Sequence, residues 1–305
     1  MTGAAAGPED DTRAGLWLAF AAYGAWGVLV VFWKALGHVP AIEQVVHRGL
    51  WAAVSMVALL LVRGRLGRVR ELLRDRDKRR RLALSAGLLG INWFVFLFSV
   101  ETGRILHSSL GYYLNPIVSV MLGMLVLGER LRRLQWAAVA CAIVGVLVLI
   151  VRAGELPWIG LVLAGAFGCY GLARKTAKAE ALPGSTIEML LLAIPCALGI
   201  AWLELGGAGH FVRVDASTTL LLLAAGPVTA APLLLFVEAT RRLPLFAIGF
   251  MQYLTPTSHF LFAVFVYGEV FTPAHALAFA AIWLGVALFA ADLVLEQRKR
   301  RRLTA

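Results

Sequence analysis

The sequence is poor in charge and in cysteine. Only 15% of its 305 residues are charged and 60% are hydrophobic, whereas an ordinary soluble domain has about 25% charged residues. No water-soluble fold can bury so large an apolar share, which excludes soluble enzymes, coiled coils and disordered chains. Cys141, Cys169 and Cys196 all lie inside apolar runs and form no CxxC or Cys/His spacing. We therefore expect buried thiols and no metal site.

The sequence also lacks motifs for nucleotide binding and for common hydrolytic chemistry. It contains no GxxxxGK[ST], no HExxH and no GxSxG. We therefore expect no cofactor and no ATP-driven transport. Ion coupling, with protons as the candidate ion, and facilitated diffusion both stay open as energy sources.

Long apolar runs dominate what is present. At about 20 residues per membrane span, a chain of this length holds roughly nine to eleven spanning helices. Hydropathy and helix-breaking residues predict ten. They cover residues 16–36, 42–62, 82–101, 105–127, 135–151, 158–174, 185–204, 218–237, 245–267 and 274–295. The predicted fold class is an all-α polytopic membrane protein with ten transmembrane helices.

The distribution of Lys and Arg predicts the orientation in the membrane. With the N-terminus in the cytoplasm, 24 basic residues fall on the cytoplasmic side, Arg174 among them, and only 3 fall on the opposite side. This asymmetry predicts that both termini are cytoplasmic. It also explains the net charge of +11 as a signal facing anionic lipid, so that no nucleic-acid partner is expected.

Short motifs recur 140 residues apart. The YLNP of residues 113–116 returns as the YLTP of 253–256, and Gly145 corresponds to Gly285. Several matches at one offset predict two related halves of five helices, and five is odd, so the second half is inverted. The predicted units are a tail (1–15), a first repeat (16–151), a second repeat (158–295) and a basic tail (296–305). Inverted repeats are typical of secondary transporters that bind substrate near mid-membrane.

An ordered set of motifs extends over nearly all of residues 14–297. Its members are Ala22-Tyr23, Trp26-Gly27, Val39-Pro40-Ala41, Glu43, His47-Arg48, Trp51, Asn92-Trp93, Ser109-Leu110-Gly111-Tyr112, Asn115-Pro116, Leu127-Gly128-Glu129-Arg130, Arg132-Arg133, Gln135-Trp136, Tyr170-Gly171, Arg174-Lys175, Gly249-Phe250, Gln252-Tyr253, Pro256-Thr257 and Tyr267-Gly268-Glu269. This set resembles the RarD-type EamA family of the drug/metabolite transporter superfamily. The resemblance implies two inverted five-helix repeats in the bacterial inner membrane, around a cavity lined mainly by helices 1, 3, 4, 6, 8 and 9. The chain departs from the family at His107-Ser108, where Glu is usual, and at Glu101, where Asn is common. If these positions contact the solute or carry a proton, the solute preference differs from that of the family.

Polar and aromatic residues near the middle of the predicted spans form the candidate substrate site. Pro116 and Pro256 each remove a helix hydrogen bond and free the carbonyls of Tyr112 and Gln252, which predicts bends in helices 4 and 9. A purely structural kink is the alternative at either position. The candidate substrate-binding residues are Trp26, Asn92, Trp93, Tyr112, Tyr113, Asn115, Gln252, Tyr253 and Thr255.

Ionisable residues within or beside the spans form a second candidate group, because charge in lipid is expensive. Glu43 and His47 are four residues apart and share a helix face. Together with Lys34 and Arg48 they predict either an ion-pair cluster that locks helices 1 and 2 or a gate for substrate or protons. The gating or coupling candidates are Lys34, Glu43, His47, Arg48, Glu101, His107 and His259.

These observations predict a secondary transporter of the inner membrane that moves a small organic metabolite or drug-like solute outward by alternating access. Its partners would be that solute and the lipid bilayer, and both monomer and homodimer stay open. One alternative is a membrane-embedded enzyme that uses His47 or His107 with a carboxylate, but no nucleophile, base and orienting residue stand together. The other is a non-transporting sensor or scaffold, against which the repeat around polar midplane residues argues.

Overall fold

The chain is helical throughout the residues that its computed structural model describes, which are 8–102, 104–153, 158–266 and 273–304. No strand occurs in those ranges. The α-helices are α1 (Pro8–Val28), α2 (Val30–Ala35), α3 (Ala41–Val62), α4 (Leu66–Arg74), α5 (Arg76–Glu101), α6 (Ile105–Leu127), α7 (Arg133–Ala153), α8 (Trp158–Ala177), α9 (Ala181–Leu205), α10 (Ala216–Arg242), α11 (Leu245–Gln252), α12 (Leu254–Leu261) and α13 (Pro273–Thr304). A π-helical turn, Phe262–Val266, follows α12.

Seven helical stretches of the described residues are long and apolar enough to cross a membrane. They are Asp10–Ala35, Ala41–Val62, Arg76–Val100, Arg133–Arg152, Ala181–Leu205, Ala216–Arg242 and Ala276–Glu296. Large apolar side chains such as Val54 and Leu198 are exposed along them, as expected where the surrounding solvent is lipid. The chain is therefore a multi-pass membrane protein. The three other expected spans fall on α6, α8 and the broken α11–α12 pair, and the full set of ten stays a prediction.

The basic segment 63–81, which lies between the second and third expected spans, is largely helical. It contains α4 and residues 76–81 of α5. Val69 and Leu72 of α4 are buried. Asp75 caps α5, since its side chain accepts hydrogen bonds from the backbone N–H groups of Asp77 and Lys78, both at 3.1 Å. The charged segment is thus fastened to the helical body.

Pro116 and Pro256, where bends were expected, differ in whether the helix is interrupted. α6 runs through Pro116 without interruption. The corresponding second-half helix is divided into α11 and α12 at Tyr253, three residues before Pro256. Only one of the two expected distortions is therefore a break in the helix.

The junction after α6 places α11 beside it. Gly128 ends α6 with φ of 66°, a left-handed conformation that favours glycine. The next residue, Glu129, accepts hydrogen bonds from the backbone N–H groups of Leu245 at 2.8 Å and Phe246 at 3.1 Å. The carboxylate therefore satisfies free N–H groups at the start of α11.

The principal helix contacts are related by exchange of the two halves. α6 packs on α8 as α12 packs on α1, and α5 packs on α8 as α10 packs on α1. Three other large contacts, α3–α9, α6–α11 and α7–α13, join equivalent elements, and the extensive α3–α10 contact has a smaller counterpart in α5–α9. In the α7–α13 contact, a Cβ at Gly145 would lie 2.8 Å from the Ala278 carbonyl and one at Gly285 would lie 2.7 Å from the Ala138 carbonyl. This pattern supports two related halves, and their inversion in the membrane stays a prediction.

Candidate functional site

Glu43 fastens the loop of residues 206–215 to α3. Its side chain is fully buried. One carboxylate oxygen accepts hydrogen bonds from the backbone N–H groups of His210 at 2.7 Å and Phe211 at 3.2 Å, and the other lies 2.8 Å from His210 Nδ1. His47 is also buried and accepts a hydrogen bond at Nδ1 from Trp51 Nε1 at 3.1 Å. We call these five residues the Glu43 cluster.

Arg48 lies apart from that cluster, which corrects the expected grouping of Lys34, Glu43, His47 and Arg48. Its guanidinium carbon is 4.3 Å from the ring centroid of Trp93 and 5.4 Å from that of Trp33. Lys34 is exposed near the end of α2. Glu43 is thus paired with His210 and not with Arg48.

Polar side chains at the centre of the molecule bond to backbone groups of neighbouring helices. His259 Nε2 lies 3.2 Å from the carbonyl oxygen of Trp26, and the ring of Tyr112 packs edge-on against His259 at 6.1 Å. Thr255 Oγ1 donates to the carbonyl of Tyr23 at 2.9 Å. These contacts join α12 to α1 and bring α6 beside them.

Two further candidate residues are held in the same way. Asn92 Nδ2 donates to the carbonyl of Leu163 at 3.1 Å, which joins α5 to α8. The Tyr253 hydroxyl donates to the carbonyl of Tyr113 at 3.4 Å, between equivalent positions of the two halves. The side chains of the remaining candidates, Glu101 and His107, lie outside the described residues.

Asn115 and Gln252 differ from those residues because each has an unsatisfied oxygen. Their side chains are 4% and 5% exposed. The Asn115 Oδ1 and Gln252 Oε1 atoms are buried, and neither has a hydrogen-bond partner in the described part of the chain. An unmade hydrogen bond at a buried polar atom costs about 1–3 kcal/mol. We call these two residues the amide pair.

Little space lies beside the amide pair in this structure. A void of about 10 Å³ is lined in part by Pro116, Phe250 and Tyr253, which is close to the volume of one water-sized probe. This void has room for no more than about one water and not for an organic solute.

A buried ion pair joins α8 and α9 at the level of the 63–81 segment. Arg174 and Glu188 are both fully buried, with Nε and Oε1 3.6 Å apart. Ser85 donates to Glu188, and the Tyr170 hydroxyl lies 3.4 Å from its other oxygen. Arg174, expected as the last residue of its span and counted on the cytoplasmic side, is buried within α8, which continues to Ala177. Glu188 was missed, although a lone carboxylate in an apolar run was the signal that could have identified it.

A cavity of about 700 Å³ opens among α1, α3, α9 and α10. Its lining is rich in charge. The charged lining residues are Arg63, Arg65, Arg68, Glu180, Glu238, Arg241 and Arg242. Glu180 pairs with Arg65 at 3.2 Å, and both side chains are partly exposed to solvent. The cavity lies beside the basic segment and not at the amide pair.

Comparison with known proteins relates this chain to one family of membrane transporters. Residues 13–151 match the model of the EamA-like transporter family. The protein RarD of Salmonella typhi is 44% identical over 95% of this chain and 99% of that protein. The protein RarD of Escherichia coli (strain K12) is 42% identical over 95% and 98%. A crystal structure of a protein with 20% sequence identity superposes with a TM-score of 0.70 and covers 96% of this chain and 99% of that chain, which shows likeness of fold alone.

Proposed function

This chain belongs to the EamA-like transporter family as a RarD-type member, and from that premise we propose that it is a secondary exporter. The family and its relatives identify it as a membrane transporter. We propose that it moves a small organic solute by alternating access, through a path between the two halves. The amide pair would bind the solute near the middle of that path.

The unsatisfied oxygens of Asn115 and Gln252 are the observation that carries this proposal. Their amides offer both donors and acceptors, so they suit a polar solute that must cross an apolar wall. The break between α11 and α12 lies directly after Gln252, and irregular backbone within a membrane is tolerated where it lines a cavity. The close packing beside the pair fits an occluded state from which the halves must separate.

Flux into proteoliposomes that contain only this protein tests the proposal. A thermal-shift screen of metabolites would first supply a ligand, since a ligand at 100 times its dissociation constant stabilises by about 2.7 kcal/mol. That ligand should enter vesicles that contain the protein faster than it enters empty vesicles. Imposing a pH gradient then shows whether protons drive the flux. Asn115→Ala and Gln252→Ala should each weaken its binding by about 1–3 kcal/mol.

Gln135→Ala is the matched control, because this amide is fully satisfied. Gln135 donates to Asp292 at 2.8 Å and accepts from the Arg132 backbone N–H at 2.9 Å, at the α7–α13 contact. The control should lower stability without changing flux per folded molecule. Wild-type binding and flux in both amide-pair variants would contradict the proposal.

We also propose a location in the bacterial inner membrane with both termini in the cytoplasm. The excess of Lys and Arg around residues 63–81 and 298–302 supports this orientation. Cysteines introduced at Arg70 and Arg300 should be shielded from an impermeant reagent in whole cells, whereas one at His210 should be labelled. Labelling at 70 and 300 but not at 210 would reverse the orientation.

A further inference from the structure

Arg48 is a charged residue of α3, a helix that is long and apolar enough to cross the membrane. It lies seven residues into α3, about 10 Å from the start of the helix at 1.5 Å per residue. Among the described residues, no carboxylate lies within salt-bridge distance of its guanidinium. Its Nε atom is buried and has no hydrogen-bond partner in the described part of the chain. Within that part, no acidic side chain compensates the charge.

The aromatic contacts of Arg48 compensate only part of its charge. Its guanidinium lies over the rings of Trp93 and Trp33, and such cation–π contacts stabilise a cation through the face of the ring. Hydrogen bonds of a guanidinium, in contrast, leave from its edges and in its plane. Stacking on indole uses the faces of the guanidinium and not its edges, and on one edge the buried Nε has no hydrogen-bond partner among the described residues.

The surroundings of Arg48 indicate what would occupy its free edges. The indoles of Trp33 and Trp93 both present apolar surface beside the guanidinium. A carboxylate fits an arginine edge through two parallel charge-assisted hydrogen bonds. An apolar body attached to that carboxylate would contact the indoles. The site thus matches an amphipathic organic anion.

We propose that Arg48 recognises the anionic group of the transported solute, and that this solute is an organic carboxylate with an apolar body. The proposal rests on the proposed transport function and gives its substrate class. Trp93 belongs to α5, the helix that also holds Asn92 against α8. Arg48 is accordingly a substrate-binding residue, and not part of the Glu43 cluster.

Binding of matched ligand pairs by purified protein tests the assignment. The probes are benzoate, 3-phenylpropionate and octanoate, each compared with its primary amide at pH 7.5 by thermal unfolding in detergent. At least one carboxylate should stabilise the wild type more than its amide does. Arg48→Met should weaken binding of that carboxylate by roughly tenfold or more, as expected for loss of a charged hydrogen bond, and should leave the amide unchanged.

Two further measurements separate recognition from a structural role. Met fills a similar volume without charge, so Arg48→Met should be at least as stable as the wild type if Arg48 is kept for binding. Arg48→Lys keeps the charge but loses the planar fork, so it should bind the carboxylate less tightly than the wild type. Arg63→Gln, in the separate charged cavity, controls for binding of anions to exposed arginine and should behave as the wild type.

Several results would overturn the assignment. The first is that the wild type binds carboxylate and amide equally, and the second is that Arg48→Met binds the carboxylate as the wild type does. The third is that Arg63→Gln loses this binding. The fourth is that Arg48→Met is markedly destabilised but keeps its affinity for the carboxylate. Counterflow of the same pairs into proteoliposomes tests transport independently. Binding that depends on Arg48 without flux above empty vesicles would reject transport and keep the site. If the wild type and Arg48→Met both transport the acid and the amide at equal rates, transport would be kept and the role of Arg48 would be rejected.

Discussion

Replacing Glu43 should release the 206–215 loop from α3, and the structure sets the size of the effect. The carboxylate accepts from two backbone N–H groups, of His210 and Phe211, and meets the His210 ring at 2.8 Å. Glu43→Ala removes all three contacts and leaves these donors without their acceptor. We expect the free energy of unfolding to fall by about 3–5 kcal/mol, the range for breaking a buried charged interaction.

Glu43→Gln is the conservative variant of the same test. Its amide oxygen can still accept from both backbone N–H groups, and its N–H₂ group can donate to His210 if the imidazole changes tautomer. Only the charge of the interaction is lost. We therefore expect a smaller fall of about 1–2 kcal/mol.

Unfolding in detergent measures the stability, and labelling of a cysteine placed at Ala208 measures release of the loop. In a background without the three native cysteines, Glu43→Ala should lower the stability and increase the labelling more than Glu43→Gln does. Glu71→Ala is the control, because the Glu71–Arg68 pair is more than half exposed and such pairs contribute only about 0–1 kcal/mol. Equal stability and equal labelling in both Glu43 variants and the parent would refute the reasoning.

Two other changes follow from the structure. Glu188→Gln should lower stability by about 3–5 kcal/mol, because it leaves the fully buried Arg174 without its charged partner; denaturation that matches the wild type would count against this pair. At the start of α10, the hydrogen bond from the Thr218 backbone N–H lowers the pKa of Asp215 below its usual 3.8. The stability that this cap contributes is therefore complete above about pH 4 and is lost as the pH falls through the lowered pKa, so Asp215→Asn should flatten the acid decline in melting temperature between pH 5 and pH 2.

Hydropathy predicted the helical membrane class because the apolar runs are long and separated by short breaks. The 140-residue offset also placed Gly145 and Gly285 at equivalent positions, and both lie in the α7–α13 contact. The boundaries were less predictable. A count of loop charges treats Arg174 as exposed. Only the tertiary structure shows that Glu188, about two turns into α9, is its buried partner.

The sequence predicted which residues belong to the candidate site better than it predicted which of them lie together. Glu43 and His47 share a helix face, but Arg48 is five residues from Glu43 and so points about 140° away on a helix with 3.6 residues per turn. Helical geometry alone could have separated them. The partner of Glu43 could not have been found in this way, because His210 lies 167 residues along the chain in a loop with no repeating pattern.

Access to the amide pair from both sides of the membrane is the most direct test of the transport path. In a chain without its native cysteines, Asn115→Cys would be exposed to an impermeant thiol reagent in right-side-out and in inside-out vesicles. Alternating access predicts modification from both sides, slowed by a transported solute. If the cysteine at 115 is not labelled from one or both sides, under conditions that label a cysteine at Ala208 from one side, a path through the amide pair is contradicted.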